Sequence, residues 1–276
     1  MKSWLTDKKN TWCPGCGNFG ILNAIQKAIN LLIEKGINPD RLVMTSGIGC
    51  HGKMFDYLKL SGFYSLHGRA LCTAQGIKTG NPELSVLMFG GDGDSLGEGL
   101  EHTLFAAKRN EDITLVLHNN GVYGLTTGQF SPLSKKGYKG PSSPFGNVEE
   151  PFNPIPLLLE AGATFVARSY SARIEHLSEM LVKGIEHKGF SFIEVLQPCV
   201  SFNNTYELYN EKVQVFEEEL SHEEAVLKAK SKDPNYIGVY RQFDKAVFSE
   251  SLRPKTYLLH DPDRMKTRKE MIKHYL

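Results

Sequence analysis

The sequence lacks a long hydrophobic run and a strong excess of charge of either sign. Its apolar stretches fall short of the roughly 20 residues that a membrane-spanning helix needs, and the N-terminal segment MKSWLTDKKN lacks the apolar core of a signal peptide. The formal net charge is only +1, with 32 Lys and Arg against 31 Asp and Glu. These features predict a cytoplasmic protein that has neither a membrane nor a nucleic acid as its partner.

Cysteine is also scarce, with five residues among 276. In a reducing compartment so few thiols do not predict a disulfide framework. Two of them lie in the turn Cys13-Pro14-Gly15-Cys16, and Cys50 and Cys199 each follow a predicted strand. Metal or redox chemistry is therefore the expected use of these four residues. The fifth, Cys72, is expected to be a buried small apolar residue.

Apolar runs typical of buried strands alternate with segments whose apolar residues recur at helical spacing. Strands are predicted at 41–46, 84–89, 113–117, 164–168 and 192–196, and helices at 19–35, 73–79, 98–109, 155–161 and 174–184. This alternation predicts an α/β fold with a doubly wound, mostly parallel sheet. Six prolines within 124–156 predict a long irregular loop, and such loops are usually functional. We expect one domain over residues 1–202 and a charged, mostly helical C-terminal extension over 203–276 that wraps around the domain or a partner.

Two polar residues at strand ends predict a site for a metal-bound diphosphate. Asp92 and Asn120 each follow an apolar strand, and parallel strands end at the same edge of a sheet, so the carboxylate and the amide can share one crevice. Such oxygen ligands suit Mg²⁺, while Gly91 and Gly93 would let phosphate oxygens approach backbone N–H groups. A lone Gly-Asp-Gly also occurs in ordinary turns. The Asn-Asn pair that follows after 25 residues is what favours the diphosphate interpretation.

This pattern resembles the motif that binds thiamine diphosphate, and the resemblance implies Asp92, Asn120 and the carbonyl of Val122 as the ligands of Mg²⁺. A longer set of segments resembles the β subunits of the 2-oxoacid:ferredoxin oxidoreductases over residues 10–205. In chain order the segments are WCPGCGNFGILNAI, SGIGCHGK, HGRA, GGDGD, HNNGVYGLTTGQ, TFVAR and LQPCVSFN. The resemblance implies a thiamine-diphosphate-binding domain that also carries one 4Fe-4S cluster. The matching cluster ligands are Cys13, Cys16, Cys50 and Cys199.

The same resemblance implies which residues border the cofactor and the substrate. Lys53 and Leu125 are the candidates for the substrate pocket, with a solvated surface lysine as the alternative for Lys53. His67 is expected to face the phosphates, with a structural histidine as its alternative, and Asp94 to support the loop. His51 stands where a small residue is expected, which leaves the contacts of that turn open. The predicted cofactor-binding set is Ile48, Gly49, Cys50, His67, Gly91, Asp92, Gly93, Asp94, Asn120, Val122, Gly124, Leu125 and Thr126.

The implied reaction is the coenzyme A-dependent oxidative decarboxylation of a 2-oxoacid, with electrons passing through the cluster to ferredoxin. Thiamine diphosphate also needs a carboxylate on its aminopyrimidine side, which normally comes from a second, similar domain. This chain has room for one such domain. We therefore expect an α subunit, or α and γ subunits, to supply the activating glutamate and most of the coenzyme A site, in a heterodimer or a dimer of heterodimers. The sequence does not distinguish between 2-oxoglutarate, pyruvate and a broad substrate range.

Two other interpretations remain open from the residues alone. A non-oxidative thiamine-diphosphate-dependent decarboxylase subunit would share the Gly-Asp-Gly to Asn-Asn pattern, but it has no use for four cysteines. A non-catalytic protein would hold zinc or a cluster on those cysteines, since four thiolates suit Zn²⁺ by ligand type, and its Mg²⁺ pattern would be accidental.

Overall fold

The computed structural model describes residues 2–231, 233, 235–251 and 264–273. Its strands are β1 (Leu42–Ser46), β2 (Ser61–Tyr64), β3 (Ser85–Gly91), β4 (Ile113–Asn119), β5 (Val122–Tyr123), β6 (Gln129–Phe130), β7 (Phe165–Tyr170), β8 (Ser191–Leu196), β9 (Val213–Val215) and β10 (Asn235–Gln242). Its helices are α1 (Asn18–Glu34), α2 (Met54–Tyr57), α3 (Ala70–Gly80), α4 (Leu100–Arg109), α5 (Pro154–Glu160), α6 (Ile174–Glu186), α7 (Tyr206–Lys212), α8 (His222–Lys230), α9 (Phe248–Ser251) and α10 (Arg264–Lys273). None of these helices is long and apolar enough to cross a membrane.

The strands of the main sheet lie in the order β2-β1-β3-β4-β8-β7-β10-β9, and β5 pairs with β6 in a separate small hairpin. The first six strands in this order, β2, β1, β3, β4, β8 and β7, run parallel to one another. Strand β10 is antiparallel to β7. Helices α1 and α6 pack on one face of the sheet, and α3, α4, α5 and α8 pack on the other. The predicted mostly parallel α/β fold is therefore confirmed, with every central strand buried on both faces.

Helix α1 places the turn of Cys13 and Cys16 at the sheet. The apolar residues on its predicted inner face are buried, including Ile21, Ile25 and Ile29. The helix begins at Asn18, one residue before the predicted start, and Gly17 takes the cap position. The side chain of Asn18 points inward to the imidazole of His118, with an Oδ1–Nδ1 distance of 2.8 Å.

Helix α4 starts at Leu100, later than the predicted residue 98. A single π-helical turn, Asp94–Glu98, separates it from the end of β3. Single π-helical turns are frequent at functional sites. Here the turn keeps the Asp94 side chain buried at the sheet edge.

The segment after residue 203 contains strands that the sequence analysis missed. The described part of this segment does contain the predicted helices α7 to α10, but β9 and β10 also occur there and join the main sheet. Ile237 and Tyr240 of β10 are fully buried, but charged neighbours and short apolar runs hide this pattern in the sequence. The boundary at residue 202 stays a prediction, and residues 252–263 and 274–276 of the expected extension lie outside the described residues.

Candidate active site

A cavity of about 160 Å³ lies at the carboxyl-terminal edge of β3 and β4. The two strands are paired with Gly91 opposite His118, so the residues that follow them, Asp92 and Asn120, meet at this edge. Every residue of the predicted cofactor-binding set lines the cavity, together with His51, Glu98 and Tyr123. Larger cavities of about 550 and 630 Å³ also occur in the described part of the chain. Neither lining includes Asp92, Asn120 or a cysteine, so the chemistry favours the smaller cavity.

Asp92 is the buried carboxylate of this cavity, with 1% of its surface exposed. Burial raises the pKa of Asp92 to about 6, although hydrogen bonds from Ser131 and from the backbone lower it in part. The hydroxyl of Ser131 donates to Oδ2 of Asp92. Burial removes the water that would stabilise the ionised carboxylate, and a bound cation can stabilise that ionised form instead.

The turn at Asn120 is held from two sides. Its side-chain Oδ1 accepts a hydrogen bond from the backbone N–H of Val122 at 3.0 Å, and its carbonyl accepts one from Nδ2 of Asn203 at 2.8 Å. Gly121 takes a left-handed conformation with φ of 67°, which explains why a glycine is needed in the turn. The amide and the Val122 carbonyl are thereby fixed at the mouth of the cavity.

The two glycines beside Asp92 have protein side chains packed on them. A Cβ at Gly93 would overlap the ring of Tyr123, and a Cβ at Gly91 would lie 2.6 Å from Nδ1 of His51. The hydroxyl of Tyr123 donates to the carbonyl of Gly93 at 3.1 Å, and burial raises the pKa of Tyr123 to about 12, so it stays a neutral donor. The absence of a side chain at Gly91 and Gly93 therefore lets His51 and Tyr123 pack closely against the cavity wall, in addition to leaving room for a ligand.

The two candidates for the substrate pocket lie in different surroundings. Leu125 lines the cavity at its rim, with 44% of its surface exposed. Lys53 is not among the lining residues, and its ammonium donates to Oγ1 of Thr11 at 2.9 Å. The structure thus brings Leu125, but not Lys53, to the cavity.

The four predicted cluster ligands lie close enough to influence one another. Burial raises the pKa of the Cys50 thiol to about 11, and the charges of Cys16, Cys199 and Cys13 add to this. Burial likewise raises the pKa of Cys16, with Cys199 and Cys13 contributing. The thiols are therefore neutral in the cluster-free chain, and each must release its proton to bind a metal or cluster as a thiolate. Among the described residues, no group of three or more His, Cys, Asp or Glu is arranged to hold a single metal ion.

Cys72 lies apart from this group. The nearby charges that affect its pKa are those of Arg69 and Glu101, and burial raises that pKa. The expectation that Cys72 is buried is wrong, because its side chain is partly exposed on α3.

Gly124 connects the cysteines to the diphosphate cavity. A Cβ built on Gly124 would lie 3.5 Å from Sγ of Cys50, 3.7 Å from Sγ of Cys199 and 3.6 Å from Nδ2 of Asn120. The backbone at Gly124 therefore lies close both to two of the cysteines and to the predicted metal ligand Asn120.

Comparison with known proteins agrees with this geometry. Residues 47–195 match the family described as thiamine pyrophosphate enzyme, C-terminal TPP binding domain. The chain is 49% identical over 228 residues to the 2-oxoacid:ferredoxin oxidoreductase subunit beta of Saccharolobus solfataricus, covering 81% of this chain and 74% of that protein. The chain belongs to the β subunits of the 2-oxoacid:ferredoxin oxidoreductases. As a member of this family it is part of an enzyme that binds thiamine diphosphate.

Other members of the family include relatives named for 2-oxoglutarate. The 2-oxoglutarate oxidoreductase subunit KorB of Mycobacterium tuberculosis is 42% identical over 203 residues, which is 74% of this chain and 54% of that protein. A 2-oxoglutarate:ferredoxin oxidoreductase from Magnetococcus marinus, solved with 2-oxoglutarate, coenzyme A and succinyl-CoA bound, superposes with a TM-score of 0.86 at 32% identity, covering 90% of this chain and 87% of that chain. These relatives support the oxidoreductase interpretation and not the decarboxylase or the non-catalytic alternative.

Four residues that line the cavity or contact its wall had no role in the sequence analysis: Ser131, Tyr123, Glu98 and His51. Ser131 lies in the proline-rich stretch, where no strand or helix pattern indicates its direction. Tyr123 and Glu98 line the cavity, but neither belongs to the predicted cofactor-binding set. His51 differed from the expected small residue, and that difference was the one signal that pointed to it.

Proposed function

We propose that this chain binds thiamine diphosphate through Mg²⁺ and also carries one 4Fe-4S cluster. With an α subunit, or α and γ subunits, in a heterodimer or a dimer of heterodimers, it converts a 2-oxoacid and coenzyme A into acyl-CoA and CO₂ and reduces ferredoxin. The bound thiamine diphosphate supplies an electron sink for decarboxylation, and the cluster supplies a one-electron acceptor. We place this reaction in the cytoplasm, where the free cysteines stay reduced.

The observation that carries the proposal is the position of Gly124 between two cysteines and Asn120. A cluster on these thiols would lie directly beside the predicted Mg²⁺ ligands, which suits electron transfer from the cofactor. Cys13 is the exposed member of the four cysteines, while Cys16 is buried and Cys50 and Cys199 are partly buried. The electrons are thus expected to leave towards ferredoxin on the side of Cys13.

The residues of this chain suit the diphosphate end of the cofactor. Asp92 and Asn120 offer a buried carboxylate oxygen and an amide oxygen, with the Val122 carbonyl beside them, and Mg²⁺ takes such oxygen ligands. Tyr123 fixes the Gly93 carbonyl, and Leu125 provides apolar cover at the rim. His67 and Thr126 line the same cavity.

The size of the cavity supports the need for a partner subunit. Pockets that enclose a ligand of drug size usually have volumes of about 300–1,000 Å³, and this one has about 160 Å³. Leu66, next to His67, has 73% of its surface exposed, so an apolar side chain is available beside the cavity. The missing wall, the activating glutamate and most of the coenzyme A site are proposed to come from the partner.

Lys53 and Leu125 remain the proposed substrate-contacting residues. Lys53 belongs to the turn that follows Cys50, and its ammonium would have to leave Thr11 to reach a substrate carboxylate. Such a contact would favour a substrate with a second carboxylate, as in 2-oxoglutarate. An enzyme that uses pyruvate or a broad range of 2-oxoacids would depend less on an ion pair with Lys53.

Anaerobic purification of the native complex tests the proposal. We expect iron and sulfide, broad absorbance at roughly 400 nm, Mg²⁺-dependent binding of thiamine diphosphate, and no turnover by the isolated chain. Zinc without iron, or a colourless protein that binds thiamine diphosphate, would contradict it. Values of kcat/KM for pyruvate and 2-oxoglutarate would then define the substrate.

A further inference from the structure

A buried pair of polar side chains, His51 and Asp94, lies at the floor of the cavity. His51 is 5% exposed and Asp94 is 3% exposed. Nε2 of His51 faces Oδ2 of Asp94 at 3.6 Å, and neither atom has a hydrogen-bond partner in the described part of the chain. Leaving buried polar atoms without partners is costly, so such atoms call for an explanation.

The other carboxylate oxygen of Asp94 connects separate segments of the chain. Oδ1 of Asp94 accepts hydrogen bonds from the backbone N–H of Ile48 at 3.2 Å and from that of Gly68 at 2.8 Å. Asp94 itself starts the π-helical turn after β3. One carboxylate therefore joins the turn after β1, the turn before α3 and the end of β3, and all three segments border the cavity.

The imidazole of His51 occupies the space that two glycines leave open. A Cβ at Gly91 would lie 2.6 Å from Nδ1 of His51, and a Cβ at Gly49 would lie 2.7 Å from Cε1. Both glycines line the cavity. The ring is thus enclosed by the cavity wall on one side and by Asp94 on the other.

We propose that His51 is a positioning residue of the thiamine diphosphate site, acting through Asp94. Its ring fills the space behind Gly49 and Gly91, and its Nε2 faces the carboxylate that holds the turns at Ile48 and Gly68. The inference rests on the proposed function, since it concerns the site for that cofactor. It assigns His51 a role in keeping the wall in the shape that binds the diphosphate, without a contact to the reacting atoms.

Calorimetric titration of the cofactor-depleted native complex with thiamine diphosphate and Mg²⁺ tests this role. The variant H51L fills the space without a polar atom, and we expect about tenfold weaker binding, because the buried carboxylate loses the polar ring that faces it. The variant H51Q keeps an N–H donor and should restore most of the affinity. H187L is the matched control, because His187 is similarly buried but bonds to Thr164 at the opposite edge of the sheet.

A double-mutant cycle tests whether His51 acts through Asp94. If it does, H51L in a D94A background should weaken binding by much less than H51L alone. Iron content and circular dichroism check that each variant is folded, and H51A replaces H51L if the latter does not fold. Wild-type affinity in H51L, no recovery in H51Q, or additive effects in the cycle would each overturn the inference. Absence of Mg²⁺-dependent binding in the wild-type complex would instead overturn the proposed function and this inference together.

Discussion

The hydroxyl of Ser131 donates a hydrogen bond to the carboxylate of Asp92. Ser131 lies in the proline-rich stretch, which has few regular elements, yet both side chains are almost fully buried. The backbone N–H of Ser131 donates a hydrogen bond to the hydroxyl oxygen of Ser134 at 2.8 Å. The hydroxyl of Ser134 in turn donates to the carbonyl of Gly121. The stretch therefore links the Asp92 side of the cavity to the turn at Asn120.

Removing this hydrogen bond should change the pH dependence of cofactor binding. The Ser131 hydroxyl lowers the pKa of Asp92, which burial raises to about 6, so S131A should raise that pKa further. Mg²⁺ binds the ionised form, so binding of Mg²⁺ and thiamine diphosphate should be lost at a higher pH than in the wild type as the pH falls. Calorimetric titration between about pH 5.5 and pH 8 would measure this midpoint. S142A is the control from the same stretch, and an unchanged midpoint in S131A would contradict the prediction.

Asp92 should also destabilise the cofactor-free protein at neutral pH. Its folded pKa of about 6 lies above the ordinary value of 3.8, so the folded state binds a proton more tightly than the unfolded state. The ionised carboxylate therefore lowers the free energy of unfolding, with its full effect above about pH 6. This destabilisation disappears as the pH falls towards 4, where the carboxyl group is protonated. We expect D92N to raise the free energy of unfolding by about 1–3 kcal/mol at pH 7.5 and to abolish Mg²⁺-dependent binding.

Thermal unfolding of the metal-free complex at pH 7.5 and pH 5 would measure the D92N effect. The gain in stability should be present at the higher pH and smaller at the lower one. D56N is the control, because Asp56 is exposed. If D92N were less stable than the wild type at both pH values, burial of the ionised Asp92 carboxylate would not destabilise the folded protein.

The site could be located from the sequence because strand ends follow a simple rule. Parallel strands end at one sheet edge, so Asp92 and Asn120 were expected to meet there, and the structure places both at the cavity. The other lining residues were predicted from the resemblance to the family and not from a local pattern, and they too lie at the cavity. The helices α1 and α6 were predicted in the same way, from the spacing of residues that the sheet buries.

The contacts that hold the cavity in shape could not be predicted in this way. His51 and Asp94, or Ser131 and Asp92, are far apart in the chain and pair through loops, where no periodicity fixes the direction of a side chain. The strands β9 and β10 were missed for a related reason. They are stabilised by packing against the rest of the sheet, as the fully buried Tyr240 shows, and not by a local pattern.

Substitution of single cysteines should separate the predicted cluster ligands from the fifth cysteine. Serine at Cys13, Cys16, Cys50 or Cys199 removes a thiolate from the group whose members affect one another's pKa. Each of the four variants should lose most of its iron on anaerobic purification, because the cluster is held by thiolates. C72S is the matched control and should keep the wild-type iron content and absorbance. Normal iron in any of the four variants would remove that residue from the ligand set.

The ion pair between Arg168 and Glu194 should contribute to folding and not to cofactor binding. Nε of Arg168 donates to Oε2 of Glu194 at 2.6 Å, and both side chains are buried between β7 and β8. R168M leaves the Glu194 carboxylate buried without its charge partner, which typically costs about 3–5 kcal/mol. K27M breaks the pair of Lys27 with the exposed Glu175 and should cost less than about 1 kcal/mol. Denaturant unfolding would compare the two variants, and a similar small effect in both would mean that Glu194 becomes protonated or finds another donor when Arg168 is lost.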